Sequence, residues 1–169
     1  MRDHVQMNAS LRRPLAALLG LGLLLFAGGC AEPSKDLTQI RDWADFQTRV
    51  LQSDRPVLIE FNKDPCPTCV VQVGELEQLY PEYSDRVFFA SMTIMRGFFQ
   101  VTAPEVRDRY HLAWVPTTVL FIKGQEKQRW ELNHSAVEIR ETLKKEIGPP
   151  RQPAATANPA AAPAPVLPK

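Results

Sequence analysis

Two cysteines, Cys66 and Cys69, are the residues of this chain best suited to chemistry. They stand in the stretch LIEFNKDPCPTCVVQ, just after a short apolar run that contains one acid, Glu60. Thiols at this spacing ligate metals, form structural disulfides or act as redox pairs. A zinc site needs a second pair or histidines at ligand spacing, and the histidines His111 and His134 are isolated in the sequence. A structural disulfide over so short a loop stabilises a fold little.

Copper binding is the alternative that stays open for the two thiols. A methionine such as Met92 or Met95 could complete a Cu(I) site with the cysteines. Both methionines lie at the end of a predicted strand, where a methionine more often fills the core. We therefore prefer a redox pair to a copper chaperone, and we expect no metal and no other cofactor.

The segments on either side of the cysteines place them where a strand meets a helix. The run PVLIEFN is nearly all apolar and predicts a strand buried on both faces. The run CVVQVGELEQLYPEY predicts a helix, in which Pro67 suits the first helical position. Unpaired N–H groups and the helix dipole then favour a thiolate at Cys66, with a pKa below the free value of about 8.5. Cys66 is thus the expected attacker, and Cys69 is the resolving thiol of a Cys66–Cys69 disulfide.

The same reasoning extends to the rest of the domain. An opening helix capped by Asp42 is predicted from DWADFQTRVLQSDRP, and a second strand is predicted from RVFFASMTI. A short helix capped by Thr102 is predicted from TAPEVRDRYHL. A hairpin that turns at residues 123–125 is predicted from TTVLFIKGQEKQRWEL. A final helix that ends at Gly148 is predicted from SAVEIRETLKKEIG. Helices and strands alternate, so the sequence predicts an α/β fold around a small mixed sheet.

The apolar spacing also predicts which helical residues face the core. The helix after the cysteines is expected to bury Val70, Val73, Leu76 and either Leu79 or Tyr80 on one side. The final helix is expected to bury Val137, Leu143 and Ile147, with Ile139 and Arg140 flanking them. Pro81 is expected to end or kink the first of these helices. Ser135 and Glu138 are expected to form a capping box at the start of the second.

The domain resembles thioredoxin from about Asp42 to Ile147. The resemblance rests on CPTC after a buried strand, on VPTTVLFIKG as the cis-proline segment, and on Glu60 six residues before Cys66. It implies a thioredoxin-like α/β fold, with a central mixed β-sheet flanked by helices. It also implies exchange of protein disulfides and dithiols through the two cysteines, with no further cofactor.

The resemblance also implies which residues hold the substrate. Pro116 would follow a cis peptide bond, and the backbone of Val115 would pair with the substrate chain. We add Pro67 and Thr68, the inner pair of the motif, to this substrate-binding surface. Glu60, being buried and so having a raised pKa, would accept a proton from the resolving cysteine and return it. In the alternative interpretation, Glu60 lies near the end of its strand and reaches water or a lysine such as Lys63.

The sequence departs from the family pattern in ways that bear on redox direction. Pro65 stands in place of the usual tryptophan, and Asn62 replaces another aromatic. CPTC is similar to the motif of membrane-tethered thioredoxins of cytochrome c maturation, whereas Val115 is typical of oxidising periplasmic relatives. No polar or basic residue between the cysteines is expected to stabilise a very acidic thiolate, so a reductase is slightly favoured over an oxidase. The segment MRGFFQV lengthens a loop, and its Phe98 and Phe99 are expected in the core rather than in a docking patch.

Residues 1–29 predict a lipoprotein signal peptide. A positive flank precedes an apolar run from Leu15 to Ala27, which is followed by small residues and Cys30. This pattern resembles the lipobox of bacterial lipoproteins, which implies cleavage before Cys30 and lipidation of its thiol. Ala31 is not an aspartate, which favours the outer membrane, so we expect a periplasmic domain anchored there. The alternative is a plain signal peptide or an uncleaved anchor.

The rest of the chain divides into three segments by composition. A linker at 30–41 precedes a thioredoxin-like domain at 42–148, and a disordered Pro/Ala-rich tail follows at 149–169. The formal net charge of +1 gives no reason to expect a nucleic-acid partner. The expected partners are protein disulfide or dithiol substrates and a membrane redox protein that resets the cysteines.

Overall fold

The strands form one mixed sheet in the computed structural model, which describes residues 34–151. The sheet contains β1 (Thr38–Gln39), β2 (Val57–Asp64), β3 (Phe88–Arg96), β4 (Gln100–Val101), β5 (Thr117–Ile122) and β6 (Gln125–Glu131). The order is β1-β3-β2-β5-β6, and β4 pairs with the end of β3. β2 and β3 are parallel, whereas β5 runs antiparallel to both β2 and β6. The sequence does not predict β1 and β4, because two residues show no period.

Helices cover both faces of this sheet. They are α1 (Trp43–Phe46), which continues as a π-helical turn over Gln47–Leu51, α2 (Pro67–Tyr83), α3 (Pro104–Arg109) and α4 (Ala136–Ile147). One core joins α1 and α3 to the sheet through residues such as Phe46 and Val106. The other core joins α2 and α4 to the opposite face through residues such as Leu76 and Leu143. The expected arrangement of a central mixed sheet flanked by helices is therefore confirmed.

Two of the predicted helix caps are present. Asp42 caps α1, since its Oδ1 accepts an N–H of the first turn at 2.9 Å. Ser135 caps α4, because its Oγ accepts from the N–H of Glu138 at 3.3 Å. The return bond of the capping box is replaced by another contact: the Glu138 carboxylate lies 2.9 Å from Nδ1 of His134.

The predicted cap of α3 is wrong. Ala103 takes the cap position, and no side chain caps this helix. The hydroxyl of Thr102 instead donates to the Thr93 carbonyl of β3 at 2.6 Å. A hydroxyl that is already bound to the neighbouring strand is not available to the helix N-terminus, and tertiary contact decides the outcome here.

The core-facing sides of α2 and α4 differ from the predicted ones. The residues that α2 buries are Cys69, Gln72, Leu76, Leu79 and Tyr83, and those that α4 buries are Ala136, Ile139 and Leu143. Val70 and Val137 are exposed, so the predictions for these two residues are wrong. Each lies one position from a buried residue, which turns its side chain about 100° around the helix, away from the sheet. Pro81 does not end α2, because the fully buried Tyr83 fixes the last turn against the core.

The segment MRGFFQV forms the β3–β4 hairpin and does not enter the core. Phe98 and Phe99 at its tip are 85% and 94% exposed, so the expectation that they are core residues is wrong. The reason is that β3 continues to Arg96, which pairs with Asp64 at the very end of β2. The turn that follows therefore lies beyond the part of the sheet that the helices cover. Met92, expected at a strand end, lies inside β3 and is fully buried.

Both predicted terminal segments fall largely outside the described residues. The predicted signal peptide, Cys30 and the chain after Arg151 are not described. The first residues of the predicted tail are bound to the domain: the Arg151 N–H donates to the Glu82 carbonyl at 3.0 Å, and Arg86 donates to the Pro149 carbonyl at 2.7 Å. Between residues 34 and 151, no helix is both long enough and apolar enough to cross a bilayer.

Candidate active site

The two cysteines lie where β2 passes into α2. Cys66 occupies the N-cap position of α2 with an extended backbone, and Pro67 is the first helical residue. The two sulfurs form a disulfide, and the Cα atoms of Cys66 and Cys69 are 5.3 Å apart. Both cysteines are nearly buried, with 9% of Cys66 and 5% of Cys69 exposed. The local sequence produces this arrangement, because a proline at the first helical position needs no N–H partner and fixes where the helix begins.

The sulfur of Cys66 is surrounded by groups that stabilise negative charge. It accepts a hydrogen bond from the Cys69 N–H at 3.2 Å, in the place where a capping oxygen would act. The Thr68 hydroxyl lies 3.3 Å from the same sulfur. The expectation that no polar residue between the cysteines would stabilise a thiolate is therefore wrong for Thr68. Once the disulfide opens, these donors and the helix dipole favour the thiolate of Cys66 over that of Cys69.

Glu60 is fully buried in β2, on the face of the sheet that α2 covers. This follows from strand alternation, since Leu58 packs in the core beneath α2 and Glu60 points to the same side. Burial raises the pKa of Glu60 from 4.5 to about 8, and a hydrogen bond from Asn62 opposes part of the rise. Oε2 of Glu60 accepts from the Asn62 side chain at 2.7 Å. The alternative in which Glu60 reaches bulk water at the strand end is wrong, because none of its surface is exposed.

Other buried polar atoms lie on this same face. Thr118 of β5 stands directly opposite Glu60 in the strand register, and its Oγ1 has no protein partner. Oε1 of Glu60 and Nε2 of Gln72 also lack a protein partner. Buried polar atoms without partners are rare in folded proteins, and ordered water commonly supplies the missing bond. These groups give the side of the sheet below α2 a polar character that sequence reasoning found only at Glu60.

A loop distant in sequence holds the cysteine motif against the proline segment. Residues 132–134, which connect β6 to α4, donate three hydrogen bonds, each 2.8 Å long. The Leu132 N–H binds the Pro116 carbonyl, and the Asn133 amide binds the Thr68 carbonyl. The N–H of His134 binds the side-chain oxygen of Gln72. Sequence reasoning did not single out Leu132, Asn133 or Gln72, because their partners lie far away along the chain.

The proline segment carries the cis peptide bond that the resemblance implied. The bond between Val115 and Pro116 is cis, and Pro116 is buried while Val115 is partly exposed. A second cis bond joins Asp64 to Pro65, which directly precedes Cys66, and no local motif predicted it. The loop at 132–134 thus connects the carbonyl of Pro116, in the proline segment, to the carbonyl of Thr68, in the cysteine motif.

The methionines considered for copper do not lie with the cysteines. Met92 belongs to the core on the α1 side of the sheet, and Met95 packs against that same core. Cys69 lies in α2, which covers the opposite face. Within residues 34–151, no group of three or more His, Cys, Asp or Glu side chains is arranged to hold a metal ion. A copper site that uses the two thiols and either methionine therefore does not fit this arrangement.

A disulfide at the N-terminus of a helix, a buried acid on the preceding strand and a cis-proline loop beside them define a thiol–disulfide oxidoreductase domain. Comparison with known proteins agrees. The family profile described as Thioredoxin matches residues 38–145, so the chain belongs to the thioredoxin family. The chain is 32% identical over 113 residues to the "Thiol:disulfide interchange protein TxlA" of Synechococcus elongatus, a match that covers 66% of this chain and 56% of that protein.

One further relative carries the thioredoxin name, and one solved structure shares the fold. The thioredoxin of Acidithiobacillus ferridurans is 32% identical over 80 residues, which are 47% of this chain and 68% of that protein. The crystal structure of Malassezia sympodialis thioredoxin (Mala s 13) matches with a TM-score of 0.56 at 17% identity, covering 68% of this chain and 93% of that chain. The match to this crystal structure shows the thioredoxin fold.

Proposed function

We propose that this chain is a thiol–disulfide oxidoreductase of the bacterial cell envelope that acts mainly as a reductase of protein disulfides. The observation that carries the proposal is the Cys66 sulfur at the N-cap of α2, where the Cys69 N–H reaches it at 3.2 Å. A sulfur at this position is a good nucleophile and a good leaving group, which exchange requires in both of its steps.

The reaction moves two electrons from the dithiol to the substrate. The Cys66 thiolate attacks one sulfur of the substrate disulfide, which forms a mixed disulfide and releases one substrate thiolate. The Cys69 thiolate then attacks the Cys66 sulfur, which releases the second substrate thiolate and leaves the Cys66–Cys69 disulfide. Glu60 accepts the proton of Cys69 before this second attack and returns it in the reverse direction. A carboxyl group with a pKa of about 8 holds and releases a proton near neutral pH.

The substrate chain binds across the surface formed by Val115, Pro116, Pro67 and Thr68. Cys66 lies at this surface, and the loop at 132–134 fixes the two segments that carry it relative to each other. The backbone of Val115 pairs with the residue that precedes or follows the substrate cysteine. This contact positions the substrate sulfur for in-line attack, which is where most of the rate gain of a positioned nucleophile arises.

The reductase direction rests on the groups beside the Cys66 sulfur. Thr68 brings one hydroxyl at 3.3 Å and no charge, so the thiolate is stabilised to a moderate degree. The test is the reduction potential of the pair, measured by equilibration with glutathione or dithiothreitol buffers. A value near the ~−270 mV of thioredoxins supports a reductase, and a value near ~−120 mV would make the protein an oxidant. A chain that forms no disulfide at any poise but binds Cu(I) tightly would instead be the copper chaperone.

The proposal also includes a location in the cell envelope and a partner protein that reduces the Cys66–Cys69 disulfide again. Lipidation of Cys30 would anchor the domain to a membrane, with the outer membrane favoured by Ala31. A membrane redox protein would then return electrons to the Cys66–Cys69 disulfide. Labelling cells with a radioactive fatty acid tests the anchor: label should enter the full chain and be absent from a Cys30→Ala variant. Label that persists in the variant excludes Cys30 as the lipidated residue.

A further inference from the structure

We propose that Phe98 and Phe99, at the tip of the β3–β4 hairpin, form a docking surface for unfolded polypeptides whose disulfide lies in an apolar segment. The inference rests on the proposed function, because it names the kind of substrate that the Cys66–Cys69 site takes. The hairpin itself is outside the motif, the proline segment and the buried acid.

The two phenylalanines form an exposed apolar patch at the tip of the hairpin. Among residues 34–151 they are the most exposed large apolar side chains, at 85% and 94%, and their ring centroids are 6.3 Å apart. With about 200 Å² for each aromatic side chain, they expose about 350 Å² of apolar surface together. A contiguous patch of that size on a small protein commonly marks a site of interaction.

The hairpin presents these rings on an ordered backbone. Met95 and Arg96 of β3 pair with Val101 and Gln100 of β4. The base of the hairpin is held by Thr102, whose N–H and hydroxyl donate to carbonyls of β3 at 3.0 Å and 2.6 Å. A rigid presentation lowers the entropy lost on binding, which makes a small patch more effective.

The hairpin lies beside the cysteines because β2 and β3 end together. The Gly97 N–H donates to the carbonyl of Asp64 at 2.7 Å, and Asp64 is two residues before Cys66. With about 3.8 Å for each chain step and about 5 Å between strands, the Cα atoms of Phe98 and Cys66 are at most about 16 Å apart. A standard interface of about 800 Å² per partner has a radius of about 16 Å. A protein substrate whose interface of this size is centred on Cys66 therefore extends as far as the hairpin tip.

The apolar character of the proposed substrate is inferred from the exposed side chains near the proline segment. Trp114, next to the proline segment, is 59% exposed, and Leu132, bonded to Pro116, is 53% exposed. The charged residues that pair at the base of the hairpin are Lys63, Asp64 and Arg96, which carry both signs. Apolar side chains thus flank the site in two directions, and a folded protein keeps most of its complementary apolar residues inside. An unfolded or wrongly paired chain exposes them.

The experiment compares two disulfide substrates in single-turnover reactions of the pre-reduced full chain. One is ribonuclease A with scrambled disulfides, and the other is the small disulfide 5,5′-dithiobis(2-nitrobenzoate). We expect the double variant Phe98→Ser/Phe99→Ser to lose about tenfold in second-order rate constant toward scrambled ribonuclease, as for interface aromatics. Its rate with the small disulfide should equal that of the wild type. Val137→Ser, which removes a 64% exposed side chain on α4, is the matched control and should change neither rate.

Each other outcome decides against the docking surface. An unchanged rate with scrambled ribonuclease overturns it, and an equal loss with both substrates shows damage to the dithiol instead. If the wild type dimerises by ultracentrifugation and the double variant does not, a second copy covers the tip. If only the wild type sediments with phosphatidylethanolamine–phosphatidylglycerol vesicles, the tip binds lipid. A wild type that reduces neither substrate refutes the proposed function itself, independently of the hairpin.

Discussion

Replacing Glu60 with glutamine should change the pH dependence of stability more than any other conservative substitution in the domain. Glu60→Gln keeps the shape of the side chain and an oxygen that can accept from Asn62, while it removes the ionisable proton. In the unfolded chain the carboxyl group ionises near its ordinary pKa of 4.5, whereas burial holds the pKa at about 8 in the folded chain. Between these two values the unfolded state has released a proton that the folded state retains. The free energy of unfolding of the wild type therefore falls as pH rises through this window.

The size of the effect follows from the two pKa values. A difference of about 3.5 pKa units at about 1.36 kcal/mol per unit corresponds to about 5 kcal/mol at most. Below pH 4.5 the carboxyl group is neutral in both states, so Glu60→Gln and the wild type should have similar stability. Above pH 8 the wild type carries the full penalty, and the variant should be more stable by several kcal/mol.

Urea unfolding of the oxidised protein at pH 4, 5, 6, 7, 8 and 9 measures this difference, and the oxidised form is chosen because disulfide-bonded cysteines do not titrate. Glu105→Gln, at an exposed glutamate of α3, is the matched control and should follow the wild type at every pH. A gap between Glu60→Gln and the wild type that stays constant from pH 4 to pH 9 would refute the reasoning. It would mean that Glu60 ionises equally in the folded and unfolded chains.

Four further predictions test the catalytic and structural reasoning. Glu60→Gln should slow the second step of turnover by about 100-fold at pH 7, as for loss of a general base, when mixed-disulfide decay is followed by acid quench; an unchanged decay rate would remove Glu60 from the mechanism. Gly124→Ala should lower the free energy of unfolding by about 2 kcal/mol or more, because Gly124 has φ +70° and a Cβ there would meet the Leu51 backbone. Gly74→Ala, inside α2 with open space around its Cα, should instead raise it by about 1 kcal/mol, and two variants of equal stability in urea would contradict both assignments. Asn133→Ala should cost about 1 kcal/mol by the same assay through loss of the bond to the Thr68 carbonyl, and no loss would mean that this bond contributes nothing.

The polar residues around Glu60 together affect how easily its carboxyl group is protonated. Asn62 binds one carboxyl oxygen, while the other oxygen and the Thr118 hydroxyl on the facing strand have no protein partner. A carboxyl group with one oxygen unbound is easier to protonate than one with both oxygens bound, since hydrogen bonds favour the charged form. Asn62 therefore lowers the pKa of a group that burial alone would raise further.

The sequence by itself determined the parts of the site that depend on local signals. An apolar run followed by Pro67 specifies where a strand ends and a helix begins, and this places Cys66 at the helix N-terminus. A single acid in that run predicts a carboxyl group on a buried strand, and the structure decides that Glu60 is fully buried rather than in contact with bulk water. The hairpin turn near Gly124 and the cap at Asp42 also follow from short motifs. In each case a few adjacent residues fix the backbone, so no distant partner needs to be known.

Only the tertiary structure decided which distant groups meet and which remain exposed. Asn133 binds Thr68 across 65 residues and His134 binds Gln72 across 62, and no local period reports such contacts. Phe98 and Phe99 have the composition of core residues, yet they are exposed because β3 and β2 end together and carry the turn past the covering helices. Apolar character predicts burial only when an element is available to cover the residue. The position of that covering element is a property of the assembled sheet and helices.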